Sequence, residues 1–184
     1  MGNIKAETPD ELKDKSVTLP ELATNRKHLV SQDLMIIYQN IRSLSHKTDE
    51  ILNTLESNPP HLICFTEHHL KSYQLDNIYF FHNYQLGAEF CRKRYKNDGV
   101  CIFIHEYFQF CNINVYKFCK EKYFVACVIK LYLSCCAIGI VSIYRSPSRN
   151  FEYFLDKLDC LLNFVKGNSM ELTFCGDFNI NFFK

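Results

Sequence analysis

Leu34-Met35-Ile36-Ile37-Tyr38-Gln39-Asn40 and, further on, His61-Leu62-Ile63-Cys64-Phe65-Thr66-Glu67 are the two segments on which the fold turns. Each is a short apolar run, the form of a buried strand, and each ends in a polar side chain. Between them Ile51, Leu52 and Leu55 share one helical face. Pro59-Pro60 stops that helix, because proline lacks the backbone N–H and clashes with the preceding turn. The order is β-α-β, which favours parallel neighbours with polar residues gathered at one edge.

Working outward, residues 1–32 carry Pro9, Pro20 and scattered charges (Lys5, Glu7, Asp10, Glu11, Lys13) without apolar periodicity. They read as a poorly ordered leader, leaving 33–184 as the folded domain. From Lys71 to Asp98 the chain reads as irregular and polar, with a basic cluster of Arg92, Lys93, Arg94 and Lys96. Strands are expected from Gly99 to Ile104, around Tyr123 to Leu131 and from Cys135 to Tyr144, close enough to form antiparallel hairpins. Asn150 is placed to cap a helix in which Phe151, Phe154, Leu155, Leu158, Leu161, Leu162 and Val165 share a face, with Gly167 just past its end. A last strand, Glu171 to Cys175, leads into Gly176-Asp177-Phe178-Asn179.

The 184 residues are 47% hydrophobic and 15% aromatic, enough for a sizeable core and too apolar for a disordered chain. Lys plus Arg is 21 against 20 for Asp plus Glu, a net charge of +1, so a polyanion has to be met by a local site and not by a global field. Leu131 to Tyr144 is interrupted by Ser134 and Ser142 and is shorter than the about 18 apolar residues that a spanning helix needs. No membrane role is expected. No secretory segment opens the sequence, so the 10 cysteines are expected to be reduced and mostly buried. Cys64 and His68 make half of a zinc site with no second half, and there is no C-x-x-C pair. His105-Glu106-Tyr107-Phe108-Gln109 lacks the final His of a zinc protease, and neither a Walker A loop nor a G-x-S-x-G elbow occurs.

Strand ends therefore carry Asn40, Glu67, Asp177 with Asn179, and Tyr144-Arg145. Hard oxygen donors on separate strands suit Mg²⁺ (or Mn²⁺), which takes one or two carboxylates and completes its shell with water and substrate phosphate. Tyr38-Gln39-Asn40-Ile41-Arg42-Ser43-Leu44, Ile63-Cys64-Phe65-Thr66-Glu67, Gly99-Val100, Ile143-Tyr144-Arg145-Ser146-Pro147 and Gly176-Asp177-Phe178-Asn179 resemble, in that order, the endonuclease/exonuclease/phosphatase family. The likeness is closest to the apurinic-like endonuclease domain of non-LTR (LINE-type) retrotransposon polyproteins, and it covers residues 34 to 184.

The resemblance implies a four-layered α/β sandwich, with two packed mixed β-sheets flanked by helices, incomplete at the C-terminus. It implies a Mg²⁺-dependent phosphodiester hydrolase, a nuclease that in intact relatives nicks DNA to prime reverse transcription. Glu67 would be the metal carboxylate with Asn40 beside it. Asp177 would activate water, Asn179 would hydrogen-bond the scissile phosphate and Tyr144 would contact it. DNA is the implied partner, and nuclear access the implied requirement.

The family's pattern continues into a Ser-Asp-His string past Lys184, and none of the seven histidines replaces it. The chain alone is therefore expected to be inactive or nearly so. His68-His69 and Asp98-Gly99 also depart from the pattern, which has a small polar residue with an aromatic, and Gly-Gly, at these places. His68 and His69 read as loop residues in preference to ligands, and Arg145 as a surface arginine. The basic cluster either steers DNA phosphates or is a solvated loop. A phosphatase or sphingomyelinase-like hydrolase of the same fold, and a non-catalytic element-derived remnant, stand as alternatives.

Overall fold

The computed structural model describes residues 34–78, 81–93, 99–147, 150–167 and 170–180. The leader at 1–32 and two members of the basic cluster, Arg94 and Lys96, lie outside the described residues. Strand β1 (Ile36–Asn40) is followed by helix α1 (Thr48–Ser57), β2 (Leu62–Thr66), the short α2 (Ser72–Asp76), β3 (Tyr84–Phe90), β4 (Val100–His105) and β5 (Gln109–Ile113). Then come β6 (Phe124–Tyr132), β7 (Ala137–Arg145), α3 (Phe151–Lys166) and β8 (Glu171–Asp177). They form two four-stranded sheets, ordered β1-β2-β4-β3 and β5-β6-β7-β8.

Both sheets are mixed. β1 and β2 are parallel, as are β7 and β8, while the other pairs are antiparallel. Alternation of side chains along a strand sorts the core into layers. Ile63, Phe65, Cys101 and Phe103 pack with Ile51 of α1 and Leu75 of α2. Phe124, Ala126, Val128, Val141 and Ile143 pack with Phe154, Leu161 and Val165 of α3. The other parity, Leu62, Cys64, Ile102, Ile104, Val125, Cys127, Ile129, Ile140 and Ser142, is also buried and fills the space between the sheets. The result is the four-layered α/β sandwich. α3 begins where the sequence places it: the Asn150 side chain accepts from the Tyr153 N–H at 3.0 Å, a cap typically worth about 1 kcal/mol.

Three expectations need correction. The 71–98 region is not irregular throughout, since it holds α2 and β3. β3 escapes a period-2 reading because its register shifts between Leu86 and Ala88, which leaves Gly87 and Ala88 both buried. A Cβ on Gly87 would lie 2.3 Å from Ile104 Cδ1, so the bulge presses directly on β4. Of the three expected hairpin strands, only β6 and β7 form a hairpin; β4 belongs to the other sheet, between β2 and β3. The cysteines are free, yet Cys111, Cys135, Cys136 and Cys160 are exposed, because they sit on an edge strand, a hairpin tip and the outer face of α3.

Candidate active site

The two parallel strand pairs bring their C-terminal ends together. Asn40 closes β1 opposite Thr66, the residue before Glu67, and Tyr144 lies opposite Asp177 in the β7–β8 register. Across the gap between the sheets one side-chain amide joins three strands: Asn40 Nδ2 donates to Glu67 Oε1 at 3.1 Å and to Asp177 Oδ2 at 2.8 Å. Its Oδ1 is buried without a hydrogen-bond partner among the described residues.

Backbone geometry explains the sequence around each carboxylate. Glu67 has φ +55°, a left-handed turn directly after the strand. Its N–H donates to the Gly99 carbonyl and its carbonyl accepts from the Ser43 N–H, both at 2.8 Å. Gly176 precedes Asp177 because β8 passes so near β7 that a Cβ there would lie 2.1 Å from the Ile143 carbonyl oxygen. Both Asp177 oxygens are engaged, Oδ2 by Asn40 and Oδ1 by the Asn179 N–H at 3.1 Å.

Tyr144 is buried and faces the Glu67 carboxylate. Burial first, and then the Glu67 charge, push its pKa up to about 12, so at neutral pH it is a donor. Tyr38 behind it bonds Thr66 Oγ1 at 3.0 Å and is likewise raised to about 12, chiefly by burial.

Asn179 is brought to the same edge but its amide is turned aside: Nδ2 donates to the Arg145 carbonyl at 2.6 Å. An amide nitrogen carries two hydrogens, so this contact uses one. Arg145 is not the surface residue expected from the sequence. It is 6% exposed, donates to the carbonyls of Phe178 (3.3 Å) and Asn179 (2.8 Å), and lies over the rings of Phe151 and Phe154. The signal for it was the position of Arg145 at the end of a buried strand.

His68 lies in the loop after β2, as the sequence suggests, but not at its surface. It is fully buried, its Nδ1 accepts from the Leu70 N–H at 3.1 Å, and burial lowers its pKa to about 4. Its ring occupies the space a Cβ on Gly99 would need, 2.3 Å from Nε2, and Gly99 itself has φ +119°. His69 stays at the edge, with Nε2 3.9 Å from Glu67 Oε2 and a pKa lowered mainly by burial.

Among the described residues no group of three or more His, Cys, Asp or Glu is arranged to hold a metal ion. The donor set present is two carboxylates and the unpartnered Asn40 Oδ1, all hard oxygens. That chemistry fits Mg²⁺ or Mn²⁺ and disfavours zinc.

No family model and no curated protein sequence matches the chain. Solved structures do. The endonuclease domain of TRAS1, a telomere-specific non-LTR retrotransposon, is 14% identical with a TM-score of 0.62, over 80% of this chain and 61% of that one. The human Nocturnin catalytic domain is 18% identical with a TM-score of 0.56, over 80% and 64%. The 3′ phosphatase NExo from Neisseria, bound to product DNA hairpin, is 20% identical with a TM-score of 0.53, over 80% and 58%. The chain has the endonuclease/exonuclease/phosphatase fold. It spans about 60% of the length of the TRAS1 domain. In this fold the joined ends of β1, β2, β7 and β8 form the edge at which the residues described above meet. No helix among the described residues is long and apolar enough to cross a membrane.

Proposed function

We propose that this chain belongs to a Mg²⁺-dependent DNA endonuclease domain of retrotransposon type, with Mn²⁺ able to replace Mg²⁺. The observation that carries this reading is the Asn40 amide, bonded to both Glu67 and Asp177 with its oxygen unpartnered. The similarity to nucleases and phosphatases of the same fold supports hydrolysis of a phosphate ester.

Glu67 and the Asn40 oxygen would hold the cation. When bound, Mg²⁺ supplies neutralisation of the charge that grows on the phosphate oxygens. Asp177, oriented by Asn40 on one oxygen and by the Asn179 N–H on the other, accepts a proton from the attacking water. Tyr144, kept protonated by burial and by the Glu67 charge, would donate to a phosphate oxygen. The second amide hydrogen of Asn179 serves the same end. A donor already oriented at the phosphate costs little reorganisation during reaction.

The family's Ser-Asp-His string has no counterpart within the 184 residues. A positioned acid–base group is typically worth about 10² to 10⁴ in rate. Nicking of supercoiled plasmid in Mg²⁺ is therefore expected at or below detection for residues 1–184, and measurable in a chain extended through a Ser-Asp-His segment. In the extended chain nicking is expected to be lost on Asp177→Ala. Metal-independent nicking, or nicking unaffected by Asp177→Ala, would overturn the reading.

A further inference from the structure

The hairpin between β6 and β7 carries two neighbouring thiols at its tip. Tyr132 pairs with Ala137, and the Leu133 N–H donates to the Cys136 carbonyl at 2.8 Å, so residues 133–136 form a closed turn. Cys135 and Cys136 both lie on that turn, reduced and exposed, with their Sγ atoms 3.8 Å apart. Beside them is an open depression that Cys136 lines together with Lys166, Met170 and Glu171. The tip is at the opposite end of β7 from Tyr144, roughly 25 Å away along the strand.

A thiol pair can close into a disulfide or hold a cation, and the geometry separates the two. Cysteines in a disulfide usually have Cα atoms about 4.4–6.8 Å apart, whereas neighbours across a trans peptide stand at about 3.8 Å. Cys135 and Cys136 would therefore bridge only by distorting the turn that the Leu133–Cys136 bond closes. Chelation asks for no such movement. Two sulfurs each about 2.3 Å from a tetrahedral Zn²⁺ are themselves about 3.8 Å apart. That is the separation found here. Thiolates favour soft ions of the Zn²⁺ and Cu(I) kind over Mg²⁺, and exposure lets each thiol pass its proton to water as the ion binds.

The geometry points to Cys135 and Cys136 as a two-thiolate site for a soft, thiophilic cation, with the other coordination positions left to water. It does not depend on the hydrolase reading, since it lies at the other end of β7 and offers sulfur in place of oxygen. With two protein donors it is an exchangeable site, unlike the closed four-ligand centres that hold structural zinc.

Titration of the full chain with Cd²⁺, a thiophilic spectroscopic substitute for Zn²⁺, tests it through the ultraviolet thiolate-to-metal charge-transfer band, with a phosphine reductant keeping the thiols free. One Cd²⁺ per chain is expected to raise the band, excess Zn²⁺ to abolish it and Mg²⁺ to leave it. Cys135→Ser and Cys136→Ser should each weaken binding about tenfold or more, because each removes one of two soft ligands. Cys111→Ser and Cys160→Ser, at exposed thiols elsewhere, should bind as the unmodified chain does. Absence of the band, equal affinity in Cys135→Ser or Cys136→Ser, or loss of the band in Cys111→Ser or Cys160→Ser overturns the inference. If one of the two turn variants does not fold, the other decides.

Discussion

Asn40 and Asp177, 137 residues apart in the chain, are joined by a 2.8 Å hydrogen bond that ties the first strand of one sheet to the last strand of the other. The same nitrogen holds Glu67, so a single amide separates two carboxylates that would otherwise face each other across the gap. Asn40→Ala removes that separation. It is expected to lower stability by about 1–3 kcal/mol in urea unfolding, the usual cost of leaving buried acceptors unmade. Added Mg²⁺ should recover less in this variant than in the unmodified chain.

Gly176→Ala tests the close approach of β8 to β7. With a carbonyl oxygen 2.1 Å from the new Cβ, the strand has to move, and a loss of several kcal/mol is expected. Urea unfolding would show it. A loss under about 0.5 kcal/mol would mean that the strands are farther apart than described.

β1, β8, the β-α-β opening, α3 with its cap and the strand ends that bring Asn40, Glu67, Tyr144, Asp177 and Asn179 to one edge were legible in the sequence, because each of these residues lies where an apolar run stops. What was not legible has physical reasons. β3 hides behind a bulge at Gly87 that breaks its alternation. Arg145 and His68 are ionisable residues whose burial depends on distant partners, the 178–179 carbonyls and the Gly99 backbone. No local pattern announces such partners. Arg92, in the sequence one charge in a run, is likewise buried in the fold.

His68 predicts acid sensitivity. Its pKa is about 4 in the folded protein against 6.5 ordinarily, so the unfolded chain takes up the proton first as pH falls. Stability present above pH 6.5 is then lost progressively toward pH 4, by on the order of 3 kcal/mol. Urea midpoints across that range should be flatter for His68→Gln. An equally steep profile in that variant would place the effect elsewhere.

Arg145 holds the segment after β8 through the carbonyls of Phe178 and Asn179. Arg145→Ala should cost about 1.5–3 kcal/mol, since two carbonyls lose a charged donor. Amide exchange at Phe178 and Asn179 should accelerate more than exchange in β6. Uniform acceleration would indicate general loosening and not a local brace.

The central claim is that Glu67 and the Asn40 oxygen form a divalent-cation site, and Mn²⁺ binding followed by electron paramagnetic resonance tests it most directly. The account predicts one Mn²⁺ per chain, displaced by Mg²⁺, with affinity roughly tenfold or more lower in Glu67→Gln, which keeps the side chain's size and removes its charge. Unchanged Mn²⁺ affinity in Glu67→Gln would contradict it.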